Sequence, residues 1–260
     1  MPLRSLAKWH SVAAGLHGVL FAVVVIWFTV NGTWAAGDVP LSRPSATGYK
    51  EGDMAFYEPS VASAGNLPGV PLLAAICCIT CLAHVGYARS AKQGSAGRYG
   101  AWARLGHNPV RYIEYGVTAS LMVLIIASLS GVRDVGALLM LLVATMATMA
   151  FGAMGERAFA LQVGQPRLAW AGGLVLQAAV WAVIAYAFFT TTSELDDEPD
   201  WLPLIFWTQL ACFCVFPLIQ MLYTTGSITF GTAEKAYVLA SFSAKTVLAV
   251  LLLSAFVVAE

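Results

Sequence analysis

The sequence predicts an all-α membrane protein in which seven helices cross a lipid bilayer as one bundle. Of the 260 residues, 59% are hydrophobic and 11% are charged, whereas a typical soluble domain has about 25% charged residues. A helix needs about 20 mostly apolar residues to cross the hydrocarbon, and seven such runs follow one another along this chain. Because backbone groups in lipid must be paired within their own segment, each run is expected to be helical.

The seven predicted helices belong to a single domain that covers residues 1–260. The third helix begins with a start signal, because Asn108 can cap its first turn and Pro109 fits within that turn. Residues 32–68 form a loop whose length and whose Gly, Pro and aromatic content indicate local structure rather than a plain linker. The expected helical ranges, in chain order, are 12–31, 69–88, 110–131, 134–155, 168–190, 201–223 and 233–258.

Basic residues are distributed unequally between the two sides of the predicted bundle. Ten lie on the side of the N-terminus and three on the other side, which also carries the acidic segment 193–200. Because basic residues favour the cytoplasmic side, we expect a multi-pass cell-membrane protein with a cytoplasmic N-terminus and an extracellular C-terminus. The formal net charge of zero gives no indication of nucleic-acid binding. The ten are Arg4, Lys8, Arg89, Lys92, Arg98, Arg104, Arg111, Arg157, Arg167 and Lys235, and the three are Arg43, Lys50 and Arg133.

The five cysteines predict neither a disulfide framework nor a metal site. All of them lie inside apolar runs. Cys78 and Cys81 have a CxxC spacing, but no second Cys/His pair accompanies them. Cysteines in such surroundings behave as small packed hydrophobic residues.

Two ionisable residues lie well inside the predicted helices, Glu114 in the third and Lys245 in the seventh. A charge at a helix centre costs about 2.5–3.5 kcal/mol on insertion scales, so such residues normally face the bundle interior and find a partner. One interpretation is a structural Lys–Glu pair. The other is a lysine that forms an imine with an aldehyde, since a buried amine is a good carbonyl nucleophile, with Glu114 as the counterion. The positions alone leave both interpretations open.

Further polar residues are expected at a depth similar to that of Glu114. His17 lies near the inner end of the first helix and His84 near the inner end of the second. Arg111 and Glu114 are three residues apart and share a helix face. These four residues could surround one polar cavity on the cytoplasmic side. Alternatively, each histidine bonds only a neighbouring carbonyl.

The local sequence resembles that of the heliorhodopsins, microbial rhodopsins of inverted topology. The stretches RYIEYGVTASLMVLIIASLSG (111–131) and AEKAYVLASFSAKTVLA (233–249) are similar to the third and seventh helices of that family. The stretch GLHG, with His17, resembles the glycine–histidine pattern of the family's first helix. The resemblance covers all seven helices and implies a rhodopsin-like bundle, all-trans-retinal as cofactor and an inward N-terminus. The charge distribution predicts the same orientation independently.

The resemblance also implies roles for particular residues. Lys245 would hold retinal as a protonated Schiff base, Glu114 would be the counterion, and Ser241 would lie beside the imine. Thr148 and Ala119, at polyene-facing positions, depart from better-known members and leave the colour open. Other residues match polar positions of the family's core (Tyr115, Arg111, His17 and His84) or positions that line the polyene (Met122, Met149, Trp170 and Phe213).

The favoured function is that of a light-sensing retinal protein that signals without net ion pumping and is not an enzyme. One alternative is a light-driven ion pump or channel. Another is a retinal-free transporter or membrane enzyme that uses the Lys–Glu pair. The common pump arrangement has a second carboxylate eleven residues after the counterion, where this chain has Ile125. The expected partners are retinal, the lipid bilayer, a second copy of the chain through the 32–68 loop, and an unidentified cytoplasmic signalling protein.

Overall fold

The computed structural model describes residues 3–35, 38–51, 54–195 and 201–258, so residues 196–200 of the acidic segment lie outside the described residues. Seven of its helices are long and apolar enough to cross a membrane, which confirms the predicted seven-helix membrane bundle. The eighth, α3, is short and links the second span to the third. The helices are α1 (Leu3–Asn31), α2 (Gly69–Lys92), α3 (Arg98–Leu105), α4 (Pro109–Leu129), α5 (Val135–Ala160), α6 (Pro166–Thr192), α7 (Trp201–Thr224) and α8 (Phe230–Val258).

The first helix begins nine residues before the predicted range, at Leu3. These residues include Arg4 and Lys8, so their hydropathy alone does not indicate a span. The helix continues through them because Leu6 and His10 are buried against the rest of the bundle. This extension brings a histidine into the interior that the predicted range had left outside.

Two of the helices begin at side-chain caps. The Asn108 side chain accepts a hydrogen bond from the Arg111 N–H at 3.3 Å, at the start of α4. The Asp134 carboxylate accepts one from the Ala137 N–H at 2.8 Å, at the start of α5. Each cap satisfies a backbone donor that the helix itself leaves unpaired. The cap at Asn108 also fixes where α4 begins, and therefore the depth at which Glu114 lies.

The loop 32–68 contains a two-stranded antiparallel hairpin. Its strands are β1 (Asp38–Glu51) and β2 (Met54–Pro68). The Ser42 N–H donates a hydrogen bond to the Arg133 carbonyl at 2.9 Å, so the hairpin lies against the turn between α4 and α5. We call this end of the bundle the hairpin face, and the end at which α1 begins the N-terminal face.

The fourth helix is the most enclosed of the spans. About 67% of its most apolar window is buried, against 28% for α5 and for α6. It packs between α2 and α5, while α8 packs against α1 and α7. Large apolar side chains on the outer helices, such as Val30, Met140 and Val175, are exposed, as expected for surfaces that contact lipid. Residues on α4 are therefore positioned to meet α8 inside the bundle.

Candidate functional site

The structure brings Lys245 and Glu114 together at the centre of the bundle. The Lys245 Nζ lies 3.5 Å from Glu114 Oε1 and donates a hydrogen bond to Ser241 Oγ at 2.6 Å. All three side chains are buried. Ser241 precedes Lys245 by four residues on α8, which is the spacing that places two side chains on the same helix face. The amine thus has one charged and one hydroxyl neighbour.

Two threonines hold the carboxylate of Glu114. The hydroxyl of Thr80, on α2, donates to Glu114 Oε1 at 2.8 Å, and that of Thr118 donates to the same oxygen at 3.3 Å. A buried carboxylate needs such donors as well as its ion pair. Sequence reasoning did not identify Thr80, because a single threonine in an apolar span is common. Its position four residues before His84 places it on the face of α2 that meets this site.

A largely apolar cavity with about 70 Å³ of accessible space begins at Lys245 and lies between α4, α5, α6, α7 and α8. Its wall is formed mainly by aromatic, aliphatic and methionine side chains, with the amine at one end. The dimensions and chemistry suit a long hydrophobic molecule that carries an aldehyde. Of the residues predicted to contact such a ligand, the wall includes Tyr115, Met122, Met149, Trp170, Phe213, Ser241 and Lys245, together with Ala119 and Thr148.

Side-chain to backbone contacts fix part of this wall. The Trp170 indole N–H donates to the Pro217 carbonyl at 3.1 Å, inside α7. A Cβ at Gly152 would lie 2.7 Å from the ring of Tyr112, so glycine allows that ring to approach α5. Both contacts join neighbouring helices, and they hold the wall in one shape before any ligand is bound.

Tyr115 separates the apolar cavity from a second, polar cavity on the side of the N-terminal face. Its ring centroid is 5.3 Å from Lys245 Nζ, and its hydroxyl donates to the Tyr237 carbonyl at 3.1 Å. The polar cavity has about 10 Å³ of accessible space, which is close to the volume that one water needs. Its wall includes Glu114, Arg111 and His84, three of the four residues that the sequence predicted around one cavity.

Arg111 forms its ion pairs with Glu156 and Glu234 and not with Glu114. Both carboxylates come from other helices, α5 and α8, and both are buried. The Tyr112 hydroxyl also donates to Glu156 Oε2, at 3.0 Å. One guanidinium between two ionised carboxylates leaves an excess negative charge, which is costly in a buried site. The cluster joins α4, α5 and α8 through buried charges.

Sequence reasoning did not identify Glu156 and Glu234. Each lies near a helix end, where charged residues are usually solvated. The sequence nevertheless contains a signal, because acidic residues are rare in the segments 69–193 and 201–258. Only four occur there: Glu114, Glu156, Glu234 and, at the hairpin face, Asp134. Carboxylates on a side that carries ten basic residues are candidates for buried ion pairs.

A chain of hydrogen bonds connects this cluster to His84. His10 Nε2 lies 2.8 Å from the Tyr99 hydroxyl, which donates to Glu234 Oε2 at 2.9 Å. His10 Nδ1 lies 3.0 Å from His84 Nδ1. Burial raises the pKa of Tyr99 above its ordinary value, so this hydroxyl, on the short helix α3, keeps its proton. The chain joins four helices in the part of the bundle next to the N-terminal face.

The hydrogen-bond partners of His10 and His84 determine which ring nitrogen of each histidine carries the proton. Because the single proton of the Tyr99 hydroxyl goes to Glu234, Tyr99 must accept from His10 Nε2–H. A neutral His10 then accepts at Nδ1, so His84 donates from Nδ1 and has a free lone pair on Nε2. That Nε2 has no hydrogen-bond partner among the described residues. His84 can therefore accept a proton on the side away from His10.

His17 lies next to His84 but outside this chain. The two rings stack with their centroids 5.5 Å apart and an angle of 13° between their planes. Within the described ranges, neither ring nitrogen of His17 has a hydrogen-bond partner, so a bond to a neighbouring carbonyl is not found there. A buried imidazole with two unpaired nitrogens is suited to bind water or a proton.

Comparison with known proteins agrees with this arrangement. The family model described as Heliorhodopsin matches residues 6–256, and no curated protein matches the sequence. The transmembrane domain of the Salpingoeca rosetta rhodopsin phosphodiesterase has a TM-score of 0.67 at 14% identity, covering 97% of this chain and 84% of that one. A structure of that domain with its linker region has a TM-score of 0.68 at 14% identity, covering 97% and 71%.

A structure of the light-driven proton pump LR (Mac) from Leptosphaeria maculans has a TM-score of 0.50 at 12% identity, covering 98% of this chain and 92% of that one. At these identities the structural likeness shows a rhodopsin-like fold and no more. The family model, in contrast, matches nearly the whole sequence. It implies a retinal chromophore and confirms the resemblance that the third and seventh spans carry. The chain belongs to the heliorhodopsin family.

Proposed function

We propose that this chain is a light-sensing protein that binds all-trans-retinal on Lys245 and signals without net ion transport. The observation that carries the proposal is a buried amine on the wall of a largely apolar cavity, 3.5 Å from a carboxylate. When bound, retinal would supply the absorption of visible light and a change of shape on excitation. The whole chain, residues 1–260, would act as one retinal-binding unit and not as an enzyme.

Lys245 would be the attachment point. Its Nζ would hold the retinal aldehyde as a Schiff base, with release of water. That nitrogen would take up a further proton from its surroundings, because the carboxylate 3.5 Å away stabilises the positive charge. Glu114 would be the counterion, because its Oε1 is the nearest anionic atom to Nζ among the described residues. The Ser241 hydroxyl would orient that proton. The apolar wall would exclude water from the nitrogen and slow hydrolysis.

A proton that leaves Nζ would have acceptors on one side only. Glu114 lies next to the polar cavity, whose wall includes His84. From His84 Nε2, the chain through His10 and Tyr99 would lead towards Glu234. We therefore propose that the proton is held in this part of the bundle and returns by the same route, with the N-terminal face cytoplasmic.

The resulting signal would be a rearrangement and not a current. Release and return of a proton change the charge of the buried cluster around Arg111, which joins α4, α5 and α8. An unidentified protein at the cytoplasmic face would respond to that change. We further propose that the hairpin at the opposite face joins two copies of the chain, as the family resemblance implies.

The experiment is reconstitution with all-trans-retinal. The wild-type protein should form a visible absorption band that hydroxylamine removes under illumination, because hydroxylamine captures the aldehyde. Lys245→Ala should insert into the membrane but show no such band. Lys235→Ala, a lysine on the same helix near the N-terminal face, should keep it. A covalently bound visible chromophore in Lys245→Ala would contradict the proposal.

A further inference from the structure

A buried amide on the wall of the apolar cavity has a donor group that the protein does not pair. Gln177 lies in the middle of α6 and is about nine-tenths buried. Its side chain lines the cavity, and its Nε2 has no hydrogen-bond partner in the described part of the chain. An unpaired amide inside a membrane span is costly. Its presence on a cavity wall indicates that a ligand supplies the missing partner.

A second unpaired donor follows one turn further along the same helix face. Trp181 is buried, and its indole Nε1 also has no partner within the described ranges. An indole N–H can only donate. The Trp181 ring packs edge-on against Phe213, with the centroids 5.3 Å apart, and Phe213 lines the cavity. Residues 177 and 181 are four apart and share a face of α6, so Trp181 lies directly behind the cavity wall, against Phe213.

Gln177 lies on the part of the cavity wall that α6 forms, whereas Lys245 lies on the part that α8 forms. Lys245 is on α8, which packs against α1 and α7, whereas α6 packs against α5 and α7. A retinal attached to Lys245 would therefore extend its ring towards α5 and α6. Leu174 and Gly173, which line the cavity near Gln177, are apolar. A pure hydrocarbon ring would leave both donors unpaired.

We propose that Gln177 and Trp181 form a specificity site for a retinal whose ring carries an oxygen atom, as a ketone or a hydroxyl. A carbonyl oxygen has two lone pairs and can accept from both donors. The inference rests on the proposed function, because it requires retinal in this cavity. It concerns which retinal the cavity prefers and is separate from how Lys245 holds it.

The test is a competition between two ligands. The protein is reconstituted with equal concentrations of all-trans-retinal and all-trans-4-oxoretinal, each in excess over the protein. The bound ligands are then extracted as oximes and quantified. One net hydrogen bond corresponds to roughly a 3- to 10-fold preference, so the wild type should be enriched in 4-oxoretinal by about that factor. Gln177→Met and Trp181→Phe should each reduce the enrichment. Gln165→Met, an exposed glutamine before α6, should keep it.

A second readout reports the contact directly. The ring ketone's infrared stretch should lie at a lower wavenumber in the wild type than in Gln177→Met, because hydrogen bonding weakens the C=O bond. Equal binding of the two retinals by the wild type, or an enrichment that both variants retain, would overturn the inference. Failure to form a visible band with either retinal would instead contradict the proposed function.

Discussion

The two halves of the bundle, divided at the level of Lys245, differ in what they bury. Towards the N-terminal face lie the ion pairs of Arg111, the hydrogen-bonded histidines and the carboxylate of Glu114. Towards the hairpin face no Asp, Glu, Lys, Arg or His occurs in the spans. This holds for α1 after His17, α2 before His84, α4 after Glu114, α8 after Lys245 and the corresponding parts of α5, α6 and α7. The difference indicates that carboxylates and imidazoles able to receive a proton lie on one side of Lys245, whereas the spans on the other side have none.

The halves also differ in what stabilises them. The hairpin half contains a core of buried apolar side chains, such as Val24, Ile126, Ile184 and Leu248, and is stabilised by packing alone. The polar half buries charges whose desolvation offsets much of their attraction. Such a cluster contributes little net stability while it is intact, although the loss of one partner would leave a buried charge unpaired.

The largest expected effect is on folding. Arg111→Met removes the cation between two buried carboxylates, and breaking a buried ion pair costs about 3–5 kcal/mol. Ile126→Val, in the apolar half, should cost only about 0.5–1.5 kcal/mol. Unfolding in detergent should therefore show a much larger loss for Arg111→Met. Adding Glu156→Gln and Glu234→Gln to Arg111→Met should restore most of it, and equal stability of the two single variants would contradict the assignment of the cluster.

The next effect is on colour. Glu114→Gln removes the anion that stabilises positive charge near Nζ in the ground state, so the visible band should shift to longer wavelength. The visible band should also be replaced by near-ultraviolet absorption at a lower pH than in the wild type. The reason is that the protonated nitrogen at Lys245 no longer has the carboxylate that stabilises it. Absorption spectra across a pH titration test this.

Thr80→Val provides the matched comparison, since it removes one hydrogen bond from Glu114 and leaves the charge. Its shift should have the same sign and a smaller size. A Glu114→Gln titration identical to that of the wild type would assign the counterion to another residue.

The smallest expected effect is kinetic. His84→Phe interrupts the chain to His10 and leaves the ion pairs of Arg111 in place. The time for which Nζ remains without its proton after a flash should change, because the variant lacks the imidazole that lines the polar cavity beside Glu114. Time-resolved absorption measures this. His107→Gln, a histidine outside the chain, is the control, and unchanged kinetics in His84→Phe would mean that the histidines have only a structural role.

The sequence predicted the centre of the site better than its surroundings. Lys245 and Glu114 could be found because a charge deep in an apolar span is rare, and the bundle class follows from hydropathy alone. The ion pairs of Arg111 could not be predicted, because Glu156 and Glu234 lie near helix ends, where charged residues are usual. Their burial depends on α3 and on the first turns of α1, which are too polar to be recognised as parts of a bundle.

The periodicity of the sequence also could not predict which residues on different helices pair with one another. Arg111 and Glu114 share a face of α4, and that spacing correctly places both beside one cavity. It does not show that the guanidinium reaches Glu156 and Glu234 on other helices, because helix contacts depend on packing. Likewise, the composition of the 32–68 loop indicated local structure, whereas the pairing of β1 with β2 and their contact with Arg133 are properties of the folded chain.

The measurement that tests the central claim most directly is electrical. Cells or vesicles that contain the retinal-bound protein are illuminated while membrane current and external pH are recorded, with an uncoupler as control. Because the carboxylates and imidazoles near Nζ lie only towards the N-terminal face in the described spans, we predict a brief charge displacement at most and no sustained current. A steady light-dependent current, or a pH change that the uncoupler abolishes, would contradict this account and favour the ion pump or channel.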